Sequence, residues 1–323
     1  MKAMLCKQLG HPSKMVLEEV PSPQPKENEV LLQVKACSVN FPDTLMVQGL
    51  YQFKPPVPFS PGSDVSGIIK EVGAKVKHLK PGDEAFGIVA YGGFAEEVVM
   101  PGKAVFPKPA DMEHSIAASF MMAYGTSYYA LKNRAQLKEG ETLLVLGASG
   151  GVGLAAVELG KIMGAKVIAA ASTNQKLELC KQYGADDLIN YTKEDLKTKI
   201  KELTEGKGAN VVIDPVGGHY TEAALRATAW EGRFLIVGFP AGIAKIPMNL
   251  PLLKSCQIVG VFWGAYAMQF PNENMMNTIT LIEMYRDGKL KPHLQKTYAL
   301  KNAQQALIDM MERKVMGKIV VMP

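Results

Sequence analysis

The sequence has little of what metal, membrane or nucleic-acid chemistry requires. Its four cysteines, Cys6, Cys37, Cys180 and Cys256, lie 31, 143 and 76 residues apart. No pair has metal-ligand spacing and no disulfide framework is suggested, so a reducing cytoplasm is the expected setting. No stretch approaches the ~18 uncharged apolar residues of a membrane helix. The opening MKAMLCKQLG lacks the apolar core and cleavage-like site of a signal peptide. Lysines and arginines form no run, and the net charge of +5 is mild for 323 residues, which argues against nucleic acid as a ligand.

What is present suits a globular chain of two domains, with 47% hydrophobic and 21% charged residues. Residues 1 to about 120 alternate short β-like runs (EVLLQVKA, VSGIIKEVG, GFAEEVVM) with proline- and glycine-bearing turns (PKEN, KPGD, MPGK). That pattern predicts a small β-rich unit. After residue 124 the runs TLLVL, KVIAAA, DLIN, NVVID, RFLIVGF and QIVGVF are nearly continuous in apolar residues, with helical segments between most of them. Strands covered on both faces read this way, so 125–262 is expected to form a doubly wound parallel sheet. Within it, TKED at 192–195 reads as a capping box for the helix of LKTKIKEL. The tail, 263–323, holds two helical patterns and a closing strand, GKIVVMP. It is expected to rejoin residues 1–124, leaving 125–262 as one inserted block.

TLLVLGASGGVGLAA places a glycine cluster between the first of these strands and a helix. Ala148-Ser149-Gly150-Gly151-Val152-Gly153 is the dinucleotide fingerprint with alanine in the first glycine position. Gly150 would let a pyrophosphate approach the backbone, and Gly153 would let helix and strand pack closely. The helix N-terminus would supply N–H groups and a positive dipole end. The same letters fit G-x-S-x-G, the hydrolase elbow, and Asp214 and His293 follow in the required order. That alternative leaves Val152-Gly153 without a role, no HGGG-like segment precedes it, and a leading β-domain is unusual for a hydrolase.

NAD-binding sheets carry an acid at the end of the second strand, where it holds both ribose hydroxyls. Here that place falls at about Ser172, in AAASTNQK. An acid would repel a 2′-phosphate, whereas Ser172, Thr173 and Asn174 would donate to one and Lys176 adds a cation. NADP is therefore favoured over NAD.

With both domains placed, the sequence resembles the medium-chain dehydrogenase/reductases, and among them the zinc-independent, zeta-crystallin-like quinone oxidoreductases. The resemblance runs over nearly the whole chain. It rests on ACSVNFPDTLMVQGLY, PFSPGSDVSGIIKEVG, LKPGDEAFG, AYGTSYYAL, LGASGGVGLAA, DPVGG, VGF and GKIVV, in that order. It implies a GroES-like catalytic domain with an inserted Rossmann domain, a cleft holding the nicotinamide, NADPH as donor and a homodimer. Asn40 and Thr126 match positions at the nicotinamide end, and Gly151 and Val152 match the pyrophosphate turn. Ser172, Lys176 and Tyr191 match the 2′-phosphate site. Val216, Phe239, Phe262 and Gly264 match positions along the cofactor groove, which Lys318 is also expected to reach.

The zinc-using relatives bind catalytic zinc at three places that here hold Asn40, Ser63 and Met122, and the lobe for four structural cysteines is missing. No tetrahedral ligand set can be assembled, so no metal is expected. Oxidation of simple alcohols needs such a metal to lower the alcohol's pKa. A planar quinone or an activated alkene does not. The negative charge that develops on such an acceptor calls for a hydrogen-bond donor. Tyr51 and Asn40 are the candidates, with Asp43 as orienting partner, and Trp263 and Tyr91 would suit a flat substrate. The alternatives are reduction of enals, enones or an acryloyl thioester, and NADPH binding without turnover.

Overall fold

The computed structural model describes all residues, Met1–Pro323. The first part of the chain supplies β1 (Lys2–Leu5), β2 (Val16–Glu19), β3 (Glu29–Ser38), β4 (Asp64–Val72), β5 (Glu84–Ile88), β6 (Glu97–Pro101) and β7 (Val105–Pro107). The middle supplies β8 (Thr142–Leu146), β9 (Lys166–Ala171), β10 (Asp187–Asn190), β11 (Ala209–Asp214), β12 (Thr228–Ile236) and β13 (Gln257–Gly260). The tail adds β14 (Leu294–Ala299) and β15 (Lys318–Met322).

Two compact units result, one of Met1–Met122 with Pro292–Pro323 and one of Ala123–Lys291. In the first, a sheet runs β14-β15-β3-β4-β5-β7, with β6 on β3, and only the β14–β15 pair is parallel. The tail strand β15 pairs with β3, Val320 opposite Ser38, which is how the end of the chain returns to its beginning. Alternation along β3 and β4 turns Val30, Leu32, Val34, Val65 and Ile69 into one core with Phe94 and Met100.

In the second unit six strands, all parallel, follow the order β10-β9-β8-β11-β12-β13. The nearly unbroken apolar runs of β8 and β9 are buried, as a sheet covered on both faces requires. Arg233 of β12 locks this sheet at its amino end. Its guanidinium donates to both oxygens of Glu141 at 2.8 and 2.6 Å and, through Nε, to the Ala135 carbonyl at 3.0 Å.

Segment 263–291 lies in this second unit, not with the first as its mixed pattern suggests. A Cβ added to Gly125 would stand 2.7 Å from the Trp263 ring, so only glycine admits that indole. Lys132 donates to Asn277 Oδ1 at 2.8 Å, Asn277 Nδ2 to Asn133 at 3.0 Å, and Tyr129 stacks on Tyr266 at 4.2 Å. The cap of helix Leu196–Leu203 also differs from expectation. Asp195 accepts from Thr198 N–H at 2.8 Å, while the Thr192 hydroxyl turns to Ser172 O and Asn190 Oδ1. No helix is long and apolar enough to cross a membrane.

Candidate cofactor and active site

The turn after β8 is built by close backbone approach. Gly147 has φ +56°, and Gly150 N–H closes the turn on Gly147 O at 3.0 Å before helix Gly151–Ile162 begins. A Cβ on Gly153 would fall 2.3 Å from Gly147 O and 2.8 Å from Ala148 Cα, so helix and turn touch through backbone alone. A Cβ on Gly150 would meet one atom, Gly147 O at 3.4 Å. Space over Gly150 is therefore open, as a diphosphate approaching a helix N-terminus requires. Val216 covers the other side, its Cγ2 lying 2.6 Å from where a Cβ of Gly147 would stand.

The same carboxyl edge of the sheet carries the remaining candidates on successive strand ends. After β9, Thr173 caps helix Asn174–Gln182 and Lys176 Nζ lies 3.4 Å from Ser172 Oγ. The Ser172 hydroxyl accepts there, which leaves its own hydrogen to donate. Asn174 accepts from Asn190 Nδ2 at 2.7 Å, so its carbonyl is committed and its amide hydrogens are the donors on offer. After β10, Tyr191 packs on Tyr220 with ring centroids 4.3 Å apart. After β11, Asp214 accepts from Val216 N–H, Gly217 N–H and Thr221 Oγ1 at 2.9, 2.8 and 2.6 Å. That carboxylate shapes the DPVGG turn, so the hydrolase elbow lacks its acid. After β12 and β13, Phe239 and Phe262 are 43% and 55% exposed, so neither is a core residue. Gly264 opens toward solvent beside Phe262, and Thr126 is buried on helix Met121–Tyr128.

In the first unit, Asn40 sits between β3 and helix Phe41–Val47 in a fully buried polar cluster that the sequence only half announces. Asp43, expected as the orienting partner of Asn40 and Tyr51, is hydrogen-bonded to the backbone of Asn40. Its two oxygens accept from the backbone N–H groups of Asn40 and Gly62 at 2.8 and 3.1 Å, holding the helix start to the β4 approach. Lys318, expected along the groove, is 6% exposed, and its ammonium donates to Asn40 Oδ1 and to Val39 O. Asn40 Nδ2 donates to Ser38 Oγ at 3.1 Å, and Ser38 Oγ donates to Asp64 Oδ2 at 3.3 Å. Met122 N–H reaches the same Oδ2 at 3.2 Å, while Asp64 Oδ1 is buried without a partner.

Electrostatics follow from burial. Desolvation raises Asp43 to about 6 and Asp64 to about 7 against the pull of Lys318, and it lowers Lys318 below an ordinary lysine. Tyr51 is raised by burial first and by the Asp43 charge second, so at neutral pH it is a phenol able to donate. Its neighbourhood is aromatic, since Tyr91 packs on Phe53 and Phe59 at 5.9 and 6.1 Å and, with Tyr51, on the core. Trp263 offers no such face, being 5% exposed and bonded through Nε1 to Asn274 at 2.9 Å. No three His, Cys, Asp or Glu side chains are grouped to hold a metal ion. Ser38 and Asp64 are the residues a motif reading misses. The available signal was an acid, in GSDVSG, opening a strand whose next residues are buried.

Residues 26–110 match the family described as alcohol dehydrogenase GroES-like domain, and residues 151–280 match zinc-binding dehydrogenase. A quinone oxidoreductase-like protein 2 homolog of Nematostella vectensis is 39% identical over 99% of this chain and 88% of its own length. The chain belongs to the zinc-independent quinone oxidoreductase branch of the medium-chain dehydrogenase/reductases. Among solved structures, Escherichia coli quinone oxidoreductase complexed with NADPH superposes with TM-score 0.94 at 29% identity, each chain fully covered. The CurK enoyl reductase superposes with TM-score 0.91 at 26% identity over 99% of both chains. As members of this branch are, the chain is an oxidoreductase with a GroES-like domain and a Rossmann domain.

Proposed function

We propose that this chain is an NADPH-dependent quinone reductase working without zinc. The observation that carries the cofactor choice is the end of β9, where Ser172 and Lys176 stand in place of an acid, beside a glycine turn open over Gly150. Gly150, Gly151 and Val152 take the diphosphate on the helix N-terminus. Ser172 and Lys176, with Tyr191, hold the 2′-phosphate, for which donors and a cation are the matching chemistry. Val216, Phe239, Phe262 and Gly264 line the groove, and Asn40 and Thr126 serve the nicotinamide end.

When bound, the nicotinamide supplies a hydride. The chain's own part is to hold an acceptor flat and stabilise the charge that develops on its oxygen. Tyr51, kept protonated by its surroundings, and the Asn40 amide are the donors for that oxygen. Tyr91 and Phe53 supply apolar faces for a planar ring. A homodimer formed along the outer edge of β13, the last strand of its sheet, belongs to the same proposal.

Alkene reduction is the second reading, supported by the likeness to an enoyl reductase over the full chain. The deciding assay offers a fused-ring ortho-quinone and a 2-alkenal to one preparation, with NADPH and NADH in parallel. Faster NADPH oxidation with the quinone supports the leading reading, and preference for the alkenal replaces it. If NADPH binds and neither acceptor is reduced, the chain binds the cofactor without turning it over.

A further inference from the structure

We propose that Lys318, with Ser38 and Asp64, acts as a positioning group that fixes the side-chain amide of Asn40 with its NH2 end as donor. The inference rests on the reading above that Asn40 serves the reacting groups. The two ends of an asparagine amide are nearly the same shape, so its orientation is set by what its neighbours can give or take. An ammonium can only donate, and Lys318 Nζ donates to Asn40 Oδ1. On the other side, Ser38 Oγ spends its one hydrogen on Asp64 Oδ2 and is left as an acceptor for Asn40 Nδ2. Reversing the amide would set NH2 against an ammonium and a carbonyl against a lone pair. Both contacts would become repulsive inside a cluster where Ser38, Asp64, Lys318 and Asn40 are all buried.

The assigned orientation commits Asn40 Oδ1 to the lysine and one Nδ2 hydrogen to Ser38. One Nδ2 hydrogen remains, and it is a donor, the polarity an acceptor oxygen gaining negative charge requires. The three supporting residues come from separate strands: Ser38 ends β3, Asp64 opens β4 and Lys318 opens β15. Their agreement on one amide is what the return of the tail onto β3 brings about. Lys318 thereby has a reason to be lysine, and buried, that contact with a cofactor does not supply.

The test uses the full chain and the variants Lys318→Met, Ser38→Ala and Asn40→Ala, singly and as the two doubles with Asn40→Ala. Three readouts are taken. These are kcat with NADPH and a fused-ring ortho-quinone, the NADPH dissociation constant by fluorescence titration, and the Asn40 side-chain amide signal in cofactor-free protein labelled with 15N-asparagine. The expected result is a roughly tenfold fall in kcat for Lys318→Met and for Ser38→Ala, the size of one misdirected hydrogen bond. NADPH affinity should change less than about threefold, and the protected Asn40 amide signal of the wild type should be lost. On the Asn40→Ala background neither substitution should lower kcat further, because both act through the amide. Losses that multiply on that background would overturn the inference, as would unchanged kcat in both single variants. If Lys318→Met does not fold, Ser38→Ala, which deletes one oxygen, decides alone. A wild-type turnover in Asn40→Ala would instead remove the reading of Asn40 on which this rests. The amide signal needs no acceptor, and its persistence in both variants refutes the positioning role whatever the substrate proves to be.

Discussion

Gly150 and Gly153 are three residues apart in one motif, yet the structure gives them different jobs, and alanine at each should separate the two. At 153 the new methyl would lie 2.3 Å from a carbonyl oxygen and 2.8 and 3.0 Å from two backbone carbons. None of these can swing away, so the helix must back off the turn. Overpacking of this kind costs about 3 kcal/mol at the upper end of its usual range. Alanine's better helix propensity returns about 1 kcal/mol. A net loss of about 2 kcal/mol lowers Tm by roughly 4–8 °C for a unit of this size. At 150 the backbone is extended, φ −78° and ψ 170°, and the methyl meets one atom at 3.4 Å. Only the N-cap preference of glycine over alanine is lost, about 0.5 kcal/mol or 1–2 °C. The methyl does occupy the space assigned to the diphosphate, and losing about 2 kcal/mol of contact there weakens NADPH binding roughly 30-fold. Melting of the cofactor-free protein and fluorescence titration with NADPH measure both quantities. Wild-type NADPH affinity in Gly150→Ala would refute the assignment of the turn, and an undiminished Tm in Gly153→Ala would refute the packing argument.

Lys176→Ala should weaken NADPH binding about tenfold or more while leaving NADH within about twofold, since a single ammonium–phosphate contact is lost; equal losses for both would sink the 2′-phosphate assignment. Tyr51→Phe should slow quinone reduction about tenfold at unchanged NADPH affinity, and an unaltered rate would reduce Tyr51 to a wall of the pocket. Asp64→Asn should gain stability relative to wild type as pH rises. The folded-state pKa of about 7 exceeds that of an unfolded aspartate, so the stability tied to the proton is present below pH ~4 and lost as pH rises through about 7. Denaturant melts of both proteins across that window measure the difference, and a constant difference would show that folding does not raise the Asp64 pKa.

The regular part of the fold was legible because burial leaves a mark. β8 and β9 are almost unbroken apolar runs and nearly all buried. β3 and β4 interrupt theirs with Gln33, Lys35, Lys70 and Glu71, which marks two kinds of sheet even though burial along β3 and β4 does not strictly alternate. The glycine turn was legible because a Cβ at Gly153 would fall 2.3 Å from Gly147 O, which permits no side chain. The Asn40 cluster was not, because its members are brought together only by sheet pairing. Asn40 and Lys318 are 278 residues apart, and nothing local marks a lysine as buried. Helix Pro271–Arg286 has an evident helical pattern, but a pattern of apolar spacing does not say which unit it will cover. The misplaced cap has the same origin. Thr192 and Asp195 are both good N-cap types, and the choice fell to the tertiary pull of Ser172 O on the Thr192 hydroxyl.

The cluster also predicts which substrates are out of reach. Taking hydride from a simple alcohol requires its hydroxyl proton to leave first, and a metal ion makes this possible by lowering a bound oxygen's pKa from about 16 to about 7. Nine units correspond to about 12 kcal/mol. Here the positions 40, 63 and 122 carry an amide, a hydroxyl and a thioether, and the amide oxygen already holds an ammonium that would repel a metal cation. That ammonium is a single charge faced by two buried carboxyls, Asp43 and Asp64. The pair of acids cancels or reverses its field on any nearby oxygen, so the cluster cannot take the place of a divalent ion. With NADP and primary alcohols, kcat/KM should therefore lie at least about 10⁴-fold below that for quinone reduction, a deficit of some 5–6 kcal/mol. Added zinc should not raise it. Alcohol oxidation within tenfold of quinone reduction, or a stoichiometric response to zinc, would mean that the ammonium yields its place to a metal, and the donor argument built on Lys318 would fall with it.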